Sequence, residues 1–223
     1  MDVFSLSAFL YHAVDKLPFF MQALQLTLQL TVAAMGIGMV IGLFFALLKL
    51  SPIRPLNAIA NLYITVVRAT PLIVQIFVLY FGFTEIIAFS QFWAASLALA
   101  FHNGAYIAEI FRGGIQSIEK GQTEAARSLG MSSSLAMRRI VLPQAFKRTV
   151  PPLGNQFIIG LKDSSLAAFI GMTEIFNYSR QMVSATYLEL EFYILAAVYY
   201  LIIVLIFTWF VNKLEHRLSV SDH

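Results

Sequence analysis

The chain has 223 residues, of which 59% are hydrophobic and only 12% charged; 15 Lys and Arg against 12 Asp and Glu leave a net charge of +3. A mean hydropathy of +0.75 excludes an ordinary soluble globular domain and points to an integral membrane protein. The sequence has no cysteine, which excludes disulfides and thiolate metal sites.

In chain order, residues 1–16 are expected along the outer membrane surface. The first apolar run is uncharged from Leu17 to Leu48. It is too long for the apolar region of a signal peptide and no small-residue cleavage site ends it, so a mature helix is expected. Within it Gly38 and Gly42 form a G-x-x-x-G step, with Ala34 one turn earlier, which reads as a close helix contact inside the subunit. A second run, Pro55 to Thr84, has Arg68 as its only basic residue. The third covers roughly Ile86 to Ala108. The fourth, Pro152 to Gly171, is interrupted by Lys162 and Asp163, and the last is uncharged from Phe192 to Asn212. About twenty apolar residues cross the hydrocarbon core, so five transmembrane helices are expected. Ser51 to Pro55 and Met172 to Glu191 read as linkers.

Basic residues set the orientation. Lys49 and Arg54, then Arg112 through Arg148, then Lys213 and Arg217 fall on one side, and Lys16 and Arg180 on the other. The side richer in Lys and Arg is cytoplasmic, which puts the N-terminus outside and the C-terminus inside.

The one substantial polar stretch between apolar runs holds EAARSLGMSSSLAMRRIVLP, residues 124–143. Glu124, Ala125 and Ala126 favour a short helix, and Gly130 supplies the positive φ that ends one. Ser132, Ser133 and Ser134 offer N-caps for a second short helix, which Pro143 is expected to stop or kink. Small residues at 125, 126 and 130 would let a partner backbone approach, with Glu124 and Arg127 fixing register. A solvated loop that only covers the membrane face is the alternative.

The spacing Glu-Ala-Ala, three residues, Gly, nine residues, Ile-x-Leu-Pro resembles, at each of Glu124, Ala125, Ala126, Gly130, Ile140, Leu142 and Pro143, the signature of the membrane-spanning subunits of bacterial ABC importers. TLQLT at 27–31, RATPLIVQ at 68–75, AYIAEIFRGGIQSI at 105–118, LPQAFKRTVPPLGNQFI at 142–158 and LKDSSL at 161–166 extend the resemblance to the polar amino-acid branch over most of the chain. Ala69 stands where that branch usually has Gly, and Gln156 where many members have Glu. The resemblance implies an all-α permease of the type I importer fold, a single domain over residues 1–223 in the bacterial cytoplasmic membrane, with a coupling loop at about 119–143. It also implies a separate ATPase dimer that carries ATP and Mg, a second permease copy or homologous permease, an extracytoplasmic solute-binding protein and an amino-acid substrate. No cofactor is expected on this chain, and no nucleic-acid partner.

Polar residues inside apolar runs are costly and should face protein or water. Arg68, near Thr70 and Pro71, is either a snorkelling residue at a helix end or part of a gate. His102, Asn103, Tyr106 and Glu109 have the spacing of helical neighbours. Asn103 and Gln156 are the best candidates for polar ligands of a substrate in an otherwise apolar cavity, unless they satisfy one another between helices. A neutral Gln156 favours an uncharged polar amino acid, such as glutamine or cystine, over arginine or lysine. Lys162, Asp163 and Ser164 resemble the family's path-lining motif, with a helix-locking role as the alternative.

There is no G-x-x-x-x-G-K-[ST] loop, H-E-x-x-H or G-x-S-x-G, so no catalytic or metal residues are assigned and the chain is not itself the ATPase. A secondary transporter using Lys162, Asp163, Glu109 or His102 as a proton relay is the main alternative, although two related halves with broken helices are not evident. An intramembrane hydrolase is the enzyme alternative, without a recognisable nucleophile and base.

Overall fold

The computed structural model describes residues 6–219, so the first five residues of the expected outer segment lie outside the described residues. Helix α1 (Leu6–Asp15) packs on the last helix through His12 and Phe192, whose rings lie 5.2 Å apart. Pro18 opens α2 (Leu17–Leu50), where its missing N–H costs nothing. Thr27 and Thr31 are buried in this helix, and their hydroxyls donate to Ala23 O and Thr27 O at 2.9 and 2.8 Å, so no polar group is stranded.

The second apolar run is not one straight helix. It forms α3 (Arg54–Ala69) and α4 (Leu72–Phe77, continued by a π turn over Val78–Gly82), bent by 104° at Thr70 and Pro71. Pro71 has no N–H to give the helix, and its ring drives Thr70 into extended backbone at φ −111°, ψ 141°. Gln75 repairs the break, its Nε2 donating to Val67 O and Thr70 Oγ1, each at 2.9 Å.

Helix α5 (Gln91–Gln116) starts under the Ser90 cap and crosses α2 closely. A Cβ on Gly38 would lie 3.1 Å from Ala100 O, and one on Gly42 would lie 2.5 Å from Ile107 Cγ2. The G-x-x-x-G step is therefore a contact within the subunit, as its composition suggested. Two larger apolar clusters surround this pair. One gathers Leu30, Ile76, Leu99 and Ile170, the other Phe20, Leu161, Ile175 and Phe192.

The polar cassette supplies α6 (Lys120–Ser128) and α7 (Ser133–Ala136). Contrary to expectation, Pro143 does not end the second segment. A π turn over Met137–Val141, closed by Leu142 N bonding to Met137 O, leads directly into α8 (Leu142–Asp163), with Pro143 the second residue of that helix. A 3₁₀ segment over Ser164–Ile170 follows and stops at Gly171, φ 82°. The linker expected at Met172 to Glu191 contains a helix, α9 (Ile175–Thr186), which ends at Tyr187 in the left-handed region, φ 59°. Helix α10 (Glu189–Ser219) completes the bundle.

Among the described residues, α2 and α10 are each long and apolar enough to cross a membrane, and the bent α3–α4 pair is a third candidate. Large apolar side chains such as Val40 and Leu205 stand 69% and 58% exposed on the two long helices, as a lipid-facing surface requires.

Candidate functional site

The polar residues named from sequence fall into four separate places. At the crossing of α5 and α8, fully buried Asn103 donates Nδ2 to Leu99 O at 2.8 Å and accepts Gln156 Nε2 at Oδ1, also 2.8 Å. Gly160 makes room for this pair: a Cβ there would lie 3.3 Å from Asn103 Nδ2 and 3.1 Å from Met35 Sδ. The two best ligand candidates thus satisfy each other in this conformation, which ties the helices together.

His102 and Tyr106 point elsewhere. Their rings are 5.3 Å apart, and the Arg68 guanidinium lies 5.1 Å from the Tyr106 centroid, a cation–π contact beside the bend of α3 and α4. Thr70 donates to Val66 O at 2.9 Å in the same region, and His102 Nδ1 and Gln75 Oε1 are buried there without a hydrogen-bond partner among the described residues.

Glu109 joins neither group, although its spacing suggested a shared face with His102 and Asn103. It sits one residue beyond the third apolar run, where its carboxylate accepts Lys49 Nζ at 2.6 Å, Arg112 Nη2 at 2.8 Å and Arg112 Nε at 3.1 Å. Burial opposes its charge, but the two cations together outweigh burial and hold the carboxyl below its ordinary value.

The fourth place is the end of α8. Lys162 is exposed on the chain and lines a cavity of ≈ 580 Å³ with Ser165, Phe176, Tyr193 and Tyr200. Ser164 is buried and donates to Leu161 O at 2.6 Å, while Asp163 is only partly buried. Lys162 thus places a cation at the mouth of a cavity among apolar helices, next to the half-buried Asp163.

Sequence reasoning missed Glu174. This fully buried carboxylate caps α9 by accepting Phe176 N at 2.9 Å and Asn177 N at 2.7 Å, and it accepts the Tyr200 hydroxyl at 2.7 Å. Ile175 N donates to Thr27 Oγ1 at 3.3 Å, so α2, α9 and α10 meet at one polar point. A lone acid just ahead of a helix-compatible segment was the available signal. Arg180, over the Phe169 ring at 5.5 Å, was counted only for its charge.

The cassette presents a distinct surface. Gly130 has φ 83°, and Met131 N and Gly130 N bond to Ala126 O and Arg127 O at 3.1 and 3.0 Å, the glycine-terminated helix end the sequence called for. Ser132 Oγ caps the next helix by accepting Leu135 N at 3.3 Å. Glu124, Ala125, Gly130, Leu142 and Pro143 are exposed and Ile140 is half-buried. Ala126 instead packs inside the chain, and Arg127 donates to Ser133 Oγ, bracing the two helices against each other.

The fold is that of a membrane-embedded helical bundle with one exposed polar cassette. Residues 38–220 match the binding-protein-dependent transport system inner membrane component family, and the chain belongs to that family. It is a permease subunit of the inner membrane, not an enzyme; ATP hydrolysis in such systems resides on a separate subunit. The chain is 38% identical to the arginine transport system permease protein ArtQ of Bacillus subtilis over 94% of its own length and 96% of that protein's. It is 37% identical to the L-cystine permease TcyL of the same organism, covering 93% and 90%. The glutamine permease GlnP of Escherichia coli is 36% identical, covering 92% and 94%. Among solved structures, an amino acid ABC transporter crystallised with histidines is 41% identical with a TM-score of 0.89, covering 93% of this chain and 97% of that one. The MetNI methionine transporter, at 20% identity and a TM-score of 0.72 over 87% of this chain and 93% of that one, shares the fold.

Proposed function

We propose that this permease imports a polar amino acid, works as a single domain with five spans, and docks its ATPase on residues 119–143. The spans are α2, the bent α3–α4 pair, α5 up to Ala108, α8 from Pro152 with its 3₁₀ extension, and α10 up to Asn212. Basic-residue bias puts the N-terminus outside and the C-terminus in the cytoplasm. A second permease copy or a related chain completes the path, a solute-binding protein delivers cargo at the outer face, and ATP and Mg²⁺ act on the partner ATPase. The path runs past Lys162, Asp163 and Ser164, with Arg68, Thr70, His102 and Tyr106 on its other wall and Asn103 and Gln156 opening onto it when the helices move.

The observation that carries the docking assignment is the exposure of Leu129 at 82%, Leu142 at 44% and Met137 at 41%, all within residues 119–143 and outside every apolar run. Large apolar side chains in water beside a glycine-terminated helix mark a protein contact. The relatives' names span arginine, cystine and glutamine, which supports a polar amino acid as cargo. The test is copurification with the cognate ATPase, then ATPase assays with the binding protein across an amino-acid panel. Association with stimulation by a polar amino acid is expected. A chain that transports without an ATPase subunit would instead be a secondary transporter.

A further inference from the structure

The cytoplasmic end of α5 is fastened on two sides. Toward α2, Glu109 binds Lys49, the second-last residue of that helix, at 2.6 Å, and Lys49's own carbonyl accepts Asn57 Nδ2 at 2.5 Å, which brings in the start of α3. Asn57 Oδ1 in turn accepts Asn61 Nδ2 at 2.6 Å. Toward α8, Gly114 is buried so closely against Thr149 that a Cβ would overlap its Cγ2, and Arg148 Nη1 donates to Ser117 O at 2.5 Å. Beneath these contacts Ile118, Val141 and Ala145 form an apolar knot that joins the end of α5 to the π turn and α8.

Arg112 braces Glu109 from within α5. It holds Glu109 with Nε and Nη2, and its Nη1 donates to Gln116 Oε1 one turn further on. A carboxylate saturated by three charge-assisted bonds is poorly placed to bind cargo, because every cation it released would be left short of its partner. Glu109 is also six positions from Asn103, about 9 Å along the helix.

We propose that Glu109 is a positioning residue for energy coupling: with Lys49 and Arg112 it locks α2 and α3 to α5, so that displacement of the docking segment reaches the paired helices as one body. This rests on the reading that residues 119–143 dock the ATPase. Contact between α2 and α5 in the membrane is made through small residues such as Gly38, Gly42 and Gly104, which pack closely but carry no directional bonds across the interface. The ion cluster supplies those bonds at the end nearest the ATPase.

The experiment uses the full transporter in proteoliposomes, with its ATPase and binding protein. The readouts are ATP hydrolysed per amino acid imported and the substrate KM, for Glu109→Gln, Lys49→Met, the double variant and Lys49→Arg. Network residues of this kind modulate coupling by about 2- to 30-fold, so each of the first two variants should raise the ATP-to-substrate ratio by that order. The double variant should be no worse than the worse single one, Lys49→Arg should stay near the parent, and KM should not move. Where Glu109→Gln fails to assemble, Lys49→Met carries the test, since it leaves Arg112 on the carboxylate. A shifted KM with an unchanged ratio would make Glu109 a substrate ligand, and unchanged values for both, or strictly additive effects, would equally overturn the proposal. Gly130→Val is the independent control: if it too leaves coupling intact, the docking assignment fails, whatever Glu109 does.

Discussion

Adding one methyl group at Gly114 should destabilise the protein, and removing one from Thr149 should reverse the sign of that effect. In Gly114→Ala the new Cβ overlaps Thr149 Cγ2, while its next neighbours, Ala145 O and Thr149 Cβ, lie at 3.3 and 3.6 Å. Thr149 cannot simply turn its methyl away, because its Oγ1 donates to Phe146 O at 2.9 Å and the rotation would break that bond. Overpacking a tight contact costs about 1–3 kcal/mol, and alanine regains about 0.5–1 kcal/mol over glycine in a helix, so the net loss reaches up to about 2.5 kcal/mol. Thr149→Ser keeps the hydroxyl, removes the offending methyl and alone costs about 0.5–1.5 kcal/mol. In that background Gly114→Ala meets nothing closer than 3.3 Å and should be neutral or slightly stabilising. Thermal unfolding of the four purified proteins in one detergent gives the cycle. Equal effects of Gly114→Ala in both backgrounds would show that the helices are not locked at this contact.

Gly130→Val should abolish transport with membrane insertion intact, because a β-branched residue resists φ 83° even though the space around it is open; normal transport with normal ATPase stimulation would refute the docking assignment. A cysteine replacing Tyr187, which is 87% exposed, should be labelled from outside intact cells, and one replacing Ser134, which unlike Ser132 caps no helix, should not; the reverse pattern would invert the topology. Because Glu109 is held below its ordinary carboxyl value of 4.5, its ion cluster stabilises the protein above that pH and the benefit disappears as acid protonates it. The melting-temperature gap between parent and Glu109→Gln should therefore close on acidification; a gap that widened would contradict the ion-pair account. Gln156→Glu should shift liposome uptake toward arginine and lysine from a parent that prefers uncharged polar amino acids, and a parent already selective for arginine would show that position 156 does not set selectivity.

Patterns local to one segment were legible in the sequence. Gly130 announced a helix end, Ser132 a cap, and Gly38 with Gly42 a close crossing, because each expresses a backbone or volume requirement of its own neighbourhood. Proline was read less well. Pro71 and Pro143 have the same ring and the same missing N–H, yet one breaks its run by 104° and the other enters a helix. What separates them is the π turn ahead of Pro143, which leaves the proline as the second residue of α8. Partners across the bundle were also hidden. Helical spacing gave Asn103 and Glu109 a common face, but only the fold shows Gln156 opposite one and Lys49 opposite the other. Glu174 escaped notice because its value lies in three elements far apart in sequence, Thr27, the start of α9 and Tyr200.

The passage of backbone from the cassette into α8 without a break has a mechanical consequence. Helical conformation runs from Ser133 to Asp163, and Thr149, locked on Gly114, falls near the midpoint, about 24 Å from the docking end and about 21 Å from Lys162 and Asp163 at 1.5 Å per residue. On the proposed function α8 and the helices fastened to it tilt together as a see-saw with its fulcrum near Thr149. A push of a few ångströms on the cytoplasmic arm would swing the path-lining arm by nearly the same distance in the opposite sense, as long as α8 stays straight through Pro151 and Pro152. Opening at one membrane face and closure at the other would then be two readings of a single tilt.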